Sequence, residues 1–505
     1  MGIVFRQSVK TFIVTISGAV LGALFMYYSA KYLPNTQAFG FTRNLTYASL
    51  VISQFCLFGL NSTLYMFFQR YKDDAPKRRM LLTICFSAPV AITILLTILA
   101  YIFKQQLVGL YKDPADAAQV NKYFVWFPVY AFIWCYIVLL ESFAYINLKT
   151  ALSTFTREIL LRVLNILLIV LFCFGLLSFS SFVAWSVLVS VVPILFLGVV
   201  ALRTGKFGFS LDFGVFSKTE YKGIANYAWS HLLASISITL VENLPALLLG
   251  IFYKEGLSAI GIYTLAVYIS SVSQIPFRAM AQSTTPVLTE AYHAKDMVKV
   301  RDLFTRSSIN ILLVAMVMFN VICLNLNNAT AILPSYYSSF APIAVILVFG
   351  RLVDMATGLN GELIAFSEHY KYNFRITLVL PVLLYISCWL FIPRFGLYGA
   401  AWGTAGSIIV FNVCKMLFVW WKWKLNPFSK NTLLVLLAGG VSAAAGYFFP
   451  HFFNPARHMY VHSAIDVMMR SAVIIIVYVL MILWLQPADD VRTYIASVKK
   501  NKRLF

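Results

Sequence analysis

Apolar runs of about 20 residues recur along the whole chain, the length an α-helix needs to cross about 30 Å of hydrocarbon. About fourteen can be placed. Their centres lie near Gly22, Ser53, Thr93, Ile133, Ile169, Leu188, Leu240, Ser270, Val317, Leu352, Tyr385, Ser407, Ala438 and Val477. Two-residue alternation is nowhere sustained, which argues against an outer-membrane barrel. Composition decides that these runs are spans and not core helices. The 505 residues are 60% hydrophobic and 12% charged, with a mean hydropathy of +0.80, and such a chain holds more apolar surface than a water-soluble core can hide. The expected fold class is an all-α integral membrane bundle.

The first run continues to about Tyr32, longer than the apolar core of a signal peptide, and is expected to stay as a first helix. Seven cysteines (Cys56, Cys85, Cys135, Cys173, Cys323, Cys388 and Cys414) all fall inside apolar runs without a CxxC or Cys/His pairing. They read as packing residues, and neither a disulfide nor a metal is implied. The periplasmic His451, His458 and His462 lack acidic companions at regular spacing, so no metal is assigned there either.

A net charge of +21 raises the question of nucleic acid. Sorted by loop, however, about 28 of the basic residues fall in the N-terminus, the even-to-odd connections and the C-terminal tail, and about 8 on the other side. This asymmetry is the positive-inside pattern. It places both termini in the cytoplasm, and the charge reads as orientation and contact with anionic lipid, with no nucleic-acid partner. The Trp420, Trp421 and Trp423 cluster marks a membrane interface. Glu141, Glu158 and Arg162, near cytoplasmic ends, and Arg470, near a periplasmic one, read as anchors of helix depth. No extramembrane segment exceeds about 25 residues, too short for a soluble catalytic domain. A phosphate loop is also missing from the sequence, so any work done on a substrate is not driven by ATP hydrolysis in this chain, and no cofactor is expected.

The chain repeats itself. A shift of 221 positions lays QAFGFTRNLTYASL on SAIGIYTLAVYISS, Gly40 on Gly261 and Tyr47 on Tyr268. That shift equals about six helices, an even number of crossings, so the halves share an orientation and are related by an axis along the membrane normal. The expected organisation is a helix 1–6 lobe (residues 1–205), a helix 7–12 lobe (206–425), and helices 13 and 14 with a basic tail (426–505). Parallel repeats of this kind describe a two-lobed transporter with its site between the lobes.

Residues AFGF opening helix 2, AIGIY opening helix 8, LLLGIFYKEGLSAIGIYTLA, IPFRAMAQSTTPVLTEAYHAKD and GLYGAAWGTAGS before helix 12 together resemble the polysaccharide flippase branch of the multidrug/oligosaccharidyl-lipid/polysaccharide (MOP) exporter superfamily, which includes MATE transporters. The resemblance implies a protein of the bacterial inner membrane that moves undecaprenyl-pyrophosphate-linked oligosaccharides, such as O-antigen or exopolysaccharide units, between leaflets. It also implies polysaccharide polymerases as partners. Where that branch carries an Asp near the end of helix 7, this chain has Glu242.

The residues themselves point to candidate sites. On a straight helix, Thr264, Tyr268, Ser271, Gln274, Arg278, Gln282 and Thr285 fall within an arc of about 120°. Arg43, Tyr47, Gln54 and Asn61 line a narrow face of helix 2 in the same way. An arginine at the bilayer centre costs about 2.5 to 3.5 kcal/mol on the insertion scale. A diphosphate crossing the bilayer needs such fixed cations, and the guanidinium presents a planar fork of donors to phosphate oxygens. Snorkelling to the headgroups stays open as the other reading of both arginines. Pro276 is expected to kink helix 8. On helix 10, Arg351, Asp354, Gly358 and Glu362 recur at spacings of three or four. Arg351 and Asp354 either neutralise one another or, with Glu362 and Glu242, make an H⁺ or Na⁺ coupling site. His231 reads as a helix–helix hydrogen-bond partner.

Two other classes stay open. A MATE-type drug or cation exporter would share the fold but favour acids over arginines in its cavity. A membrane-embedded polymerase or ligase would need paired acids in a large periplasmic loop, which this sequence does not offer.

Overall fold

A computed structural model describes residues 2–450 and 459–493. His451, His458 and the basic tail lie outside the described residues. Every regular element of the described residues is a helix, and every centre placed from the sequence falls inside one. Among the described residues, nine helices are long and apolar enough to cross a membrane, or eleven spans when each of two bent pairs is counted as one. Packing divides the chain into two compact units, residues 1–261 and 262–505.

The first unit contains α1 (Gly2–Tyr32), α2 (Thr36–Leu57), α3 (Leu60–Arg70), α4 (Ala75–Ile102), the short α5 (Lys104–Val108) and α6 (Pro114–Lys122), α7 (Trp126–Ile146), α8 (Thr150–Phe155), a π-helical turn (Thr156–Leu160), α9 (Leu161–Cys173), α10 (Phe179–Leu188), α11 (Val191–Leu202), α12 (Lys218–Phe252) and the first residues of α13 (Gly256–Val272). Polar caps start several of these. Asn35 accepts from the Ala38 N–H at 2.7 Å, and Asp74 from the Lys77 N–H at 3.1 Å. Ser217 and Glu220 form a reciprocal capping box, satisfying amides that the first turn leaves without helical partners. Helix α2 packs on α7 and α12. A core of Leu57, Leu64, Phe68, Leu82, Leu139 and Phe143 closes one end.

The connection between α4 and α7 folds back onto this unit. Asp116, only 2% exposed, accepts from the Leu257 N–H at 2.9 Å and from Gln37 Nε2 at 2.8 Å. One carboxylate thus caps the first turn of α13 and holds the entry to α2. Tyr111 accepts from Asn44 Nδ2 at 2.7 Å, and burial pushes its hydroxyl up to about 12.

The second unit holds the rest of α13, α14 (Ile275–His293), α15 (Met297–Ala331), α16 (Phe340–Ala356), α17 (Asn360–Phe366), α18 (Tyr370–Trp423), α19 (Lys430–Phe448) and α20 (Met459–Leu485). Helix α18 is two helices joined at Gly396, whose φ of 54° and ψ of −126° interrupt the ladder. Helix α15 packs on α16, α19 and α20, and three amides stitch it to the last two. Asn320 Nδ2 donates to the Gly439 carbonyl at 2.8 Å and to Ser442 Oγ at 2.9 Å. Asn325 donates to Ser471 Oγ at 3.1 Å, and Asn328 to Asp466 Oδ2 at 2.6 Å.

Arg470 is not the depth anchor expected from the sequence. It is 1% exposed, pairs with Asp466 at 3.3 Å and donates to the Gly446 carbonyl at 2.6 Å. The expected packing role of the cysteines holds for Cys56, Cys85, Cys135 and Cys388, which are buried, whereas Cys173 and Cys414 are exposed.

Candidate translocation-site residues

In the first unit, helix 2 is not the straight rod on which its polar face was drawn. Phe58 and Gly59 take left-handed φ values of 48° and 71°, and α2 and α3 meet at a bend of 42°. Arg43, Tyr47 and Gln54 stay together on α2, while Asn61 lies beyond the bend on α3, where its side-chain oxygen is buried without a partner. Arg43 is half-buried. Its guanidinium lies over Phe25 at 5.0 Å and Phe39 at 5.7 Å from the ring centroids, an arrangement that supports a desolvated cation. Tyr47 and Tyr130 lie within its electrostatic reach. No carboxylate pairs with it among the described residues.

Glu242 is exposed on α12, three residues before Pro245. Along the chain it has no acidic or basic residue at helical spacing apart from the distant His231, whose ring packs on Tyr227 at 4.3 Å. The fold adds one from a distant part of the chain, Arg157. Arg157 sits on the π-helical turn, a geometry frequent at functional sites, and pairs with the buried Glu141 at 3.4 Å and with Glu158 at 3.8 Å. Glu158 in turn pairs with Arg162 at 2.6 Å, and Arg162 donates to the Gly18 carbonyl. Glu141, Glu158 and Arg162 therefore form a connected charge network and do not act as separate depth anchors. Nothing in their sequence spacing reveals Arg157 as the hub.

In the second unit, helix 8 bends by 40° between α13 and α14, with Pro276 in the first turn of α14, as the proline implied. The single stripe becomes two faces. Thr264, Tyr268 and Ser271 lie on α13, and Arg278, Gln282 and Thr285 on α14. Gln274, at the junction, is buried and donates through Nε2 to Asp354 Oδ2 at 3.0 Å. Arg278 and Gln282 are exposed, and Arg278 makes no ion pair among the described residues.

Helix 10 is also broken. Gly358 has φ 68°, and a β-carbon there would run into Ser308 Oγ, so this position admits only glycine without strain. Arg351 and Asp354 end α16, while Glu362 belongs to α17 beyond the break. The four residues do not share one continuous face, and Arg351 does not pair with Asp354, whose partner is Gln274. Sequence reasoning missed two residues here. Lys415 on α18 lies within electrostatic reach of Asp354 and Glu362, and Asn360, 1% exposed, has neither amide atom satisfied. A lone lysine in the apolar run FNVCKMLFVWW was the available signal.

Two apolar cavities hold none of the expected site residues. One of about 220 Å³ is lined in the first unit by Ile52, Cys56, Leu96, Phe127 and Leu247 among others, and one of about 530 Å³ in the second by Ile269, Val321, Asn325, Val467 and Met468 among others. Among the described residues, no cluster of His, Cys, Asp and Glu has the makings of a metal site.

No protein family and no curated protein matches the sequence, but solved structures do. The chain superimposes on the lipid II flippase MurJ in an inward closed conformation with a TM-score of 0.70 and 14% identity, covering 93% of this chain and 97% of that one. An inward-facing multidrug resistance MATE family transporter of the MOP superfamily matches with a TM-score of 0.62 and 15% identity, over 82% of this chain and 98% of that one. A MOP superfamily transporter from Pyrococcus furiosus, described by the reverse polarity of its binding pocket, matches at 0.53 and 16%, over 83% and 96%. The fold is the all-helical one these transporters share.

Proposed function

We propose that this protein flips an undecaprenyl-pyrophosphate-linked oligosaccharide, an O-antigen or exopolysaccharide repeat unit, across the bacterial inner membrane by alternating access. One observation carries the reading: Arg278 is exposed and Arg43 is half-buried, and neither guanidinium has a carboxylate partner among the described residues. A cation kept in a membrane protein without a counter-charge is available to an anion that arrives, and a diphosphate takes the guanidinium fork in two-point contact. Tyr47, Gln54, Asn61, Tyr268, Gln274 and Gln282 supply further polar contacts to the headgroup, while the polyprenyl tail stays in lipid. The fold shared with a lipid II flippase supports a lipid-linked cargo. Membrane lipids and polysaccharide polymerases are the partners this activity would have.

Glu242, Asp354 and Glu362 are the acids for coupling to H⁺ or Na⁺, with Arg351 as the nearby basic group. The same acids favour the runner-up reading, export of a cationic drug by a MATE-type carrier, and Lys415 beside two of them weighs against it. Replacing Arg278 by Ala is expected to abolish complementation in a strain lacking its flippase while expression stays normal. Full activity of that variant would remove the substrate assignment. Transport in vesicles indifferent to both pH and Na⁺ gradients would remove the coupling roles.

A further inference from the structure

The break in helix 10 builds a small mixed-charge cluster inside the second unit. Gly361 follows Asn360 and precedes Glu362, and its lack of a side chain leaves space that the Lys415 ammonium occupies: a β-carbon on Gly361 would lie 3.3 Å from Lys415 Nζ. One turn earlier on α18, the Phe411 ring lies 4.4 Å from the same ammonium. Asp354, on the other side of the break, is held by the buried Gln274 at 3.0 Å. Neither acid closes to an ion pair with Lys415 among the described residues, yet both are within its electrostatic reach. Asn360, wholly buried with no partner for either amide atom, adds an unused donor and acceptor beside Gly361.

A pair of carboxylates in a partly desolvated place calls for a positive charge. That charge can arrive as a dissolved metal ion or be carried by the chain. We infer that Lys415 is the tethered counter-cation of Asp354 and Glu362, standing where an alkali-metal ion would otherwise be needed, so that this cluster excludes Na⁺. The ammonium is positioned by the absence of a side chain at Gly361 and by the Phe411 ring. A second cation entering the cluster would meet like charge at close range, which is as costly as the pairing is favourable. The inference rests on the reading of Asp354 and Glu362 as coupling acids only in naming them, and it leaves the substrate assignment untouched.

The experiment is a thermal-unfolding comparison of the purified full-length protein in detergent, in NaCl against choline chloride at equal concentration. A ligand that binds only the folded state raises Tm by mass action. The wild type is expected to give the same Tm in both salts. Lys415→Gln is expected to gain a Na⁺-specific rise of a few degrees, Lys415→Arg to behave as the wild type, and Lys415→Gln combined with Asp354→Asn to lose the rise again. A Na⁺-specific rise in the wild type overturns the inference, as does a Lys415→Gln protein that folds and stays indifferent to Na⁺. Should Lys415→Gln fail to fold, the wild-type comparison decides alone, equal melting supporting the inference and a Na⁺-specific rise overturning it. Failure here leaves the Arg278→Ala complementation experiment, the test of the flippase reading, unaffected.

Discussion

Gly40 and Gly261, the two glycines that the internal repeat superposes, lie against one another. A β-carbon on Gly40 would sit 3.0 Å from the Gly261 amide nitrogen and run into the Leu257 carbonyl, and one on Gly261 would sit 3.4 Å from the Gly40 nitrogen and 3.0 Å from the Thr36 carbonyl oxygen. Both helix starts cross with backbone on backbone, the close approach that small residues permit between membrane helices. Gly40→Ala is therefore expected to destabilise by about 1–3 kcal/mol or to prevent folding, because the obstacle is main chain and cannot rotate away. Gly261→Ala is expected to cost less, since Phe39, one of its close neighbours, can shift. Thermal unfolding of the two purified variants checks the order.

The contact itself was not legible in the sequence, although the repeat that lays Gly40 on Gly261 was. So were the helices, since hydrocarbon thickness fixes their length. The bends at Phe58–Gly59 and before Pro276 were half-legible: the proline announced one, but nothing distinguished Gly59 from glycines that continue a helix. Once a helix bends, residues such as Asn61 and Arg278 leave the face that a 100° wheel assigns them. The partner of Asp354 and the charge nearest in effect to Glu242 were not legible at all, because Gln274 bonds the first and Arg157 comes within electrostatic reach of the second from distant parts of the chain, and spacing encodes only neighbours along one helix.

Asp116 caps α13 from the connection between α4 and α7, and Asp116→Ala would leave the Leu257 N–H and the Gln37 amide without their acceptor at a cost of about 1–3 kcal/mol. Burial raises its pKa above the ordinary 3.8, partly offset by those two donors. A raised folded value means that stability from this group is fully present below the unfolded pKa and lost as pH rises through the folded one. Asp116→Asn is accordingly expected to flatten the stability profile in the mildly acidic range, as read from unfolding midpoints across pH. An unchanged slope would contradict the assignment.

Breaking the charge network on the π-helical turn should be felt in the first unit. Glu141 is 4% exposed and one of its oxygens already lacks a partner. Arg157→Ala removes its counter-charge, and about 1–3 kcal/mol is the expected loss, discounted from the 3–5 kcal/mol typical of a broken buried pair because the arginine itself is 44% exposed. The double variant with Glu141→Gln is expected to recover most of it, which a double-mutant cycle on unfolding free energy reads directly.

Arg470→Ala is expected to be the most damaging of these changes. It removes the cation paired with Asp466, which is fully buried, and the loss of one partner of a buried pair costs about 3–5 kcal/mol. Arg470→Met together with Asp466→Leu is expected to restore much of the stability by replacing charge with packing. Detergent-solubilised thermal unfolding checks both.

The amides of Asn320, Asn325 and Asn328 have a consequence for how this chain can be divided. Hydrocarbon gives helices no reason to prefer one another over lipid, so two spans held by packing alone could drift off or be trimmed without great harm. Here the final pair is fastened at three depths, and a chain cut short after residue 425 would take from Asn320 and Asn328 the acceptors named above and leave Asn325 only its bond to the Val321 carbonyl of its own helix. Helices α19 and α20 are therefore structural members of the second unit, and a version of this protein that stopped at α18 would be an incomplete body, not a minimal one.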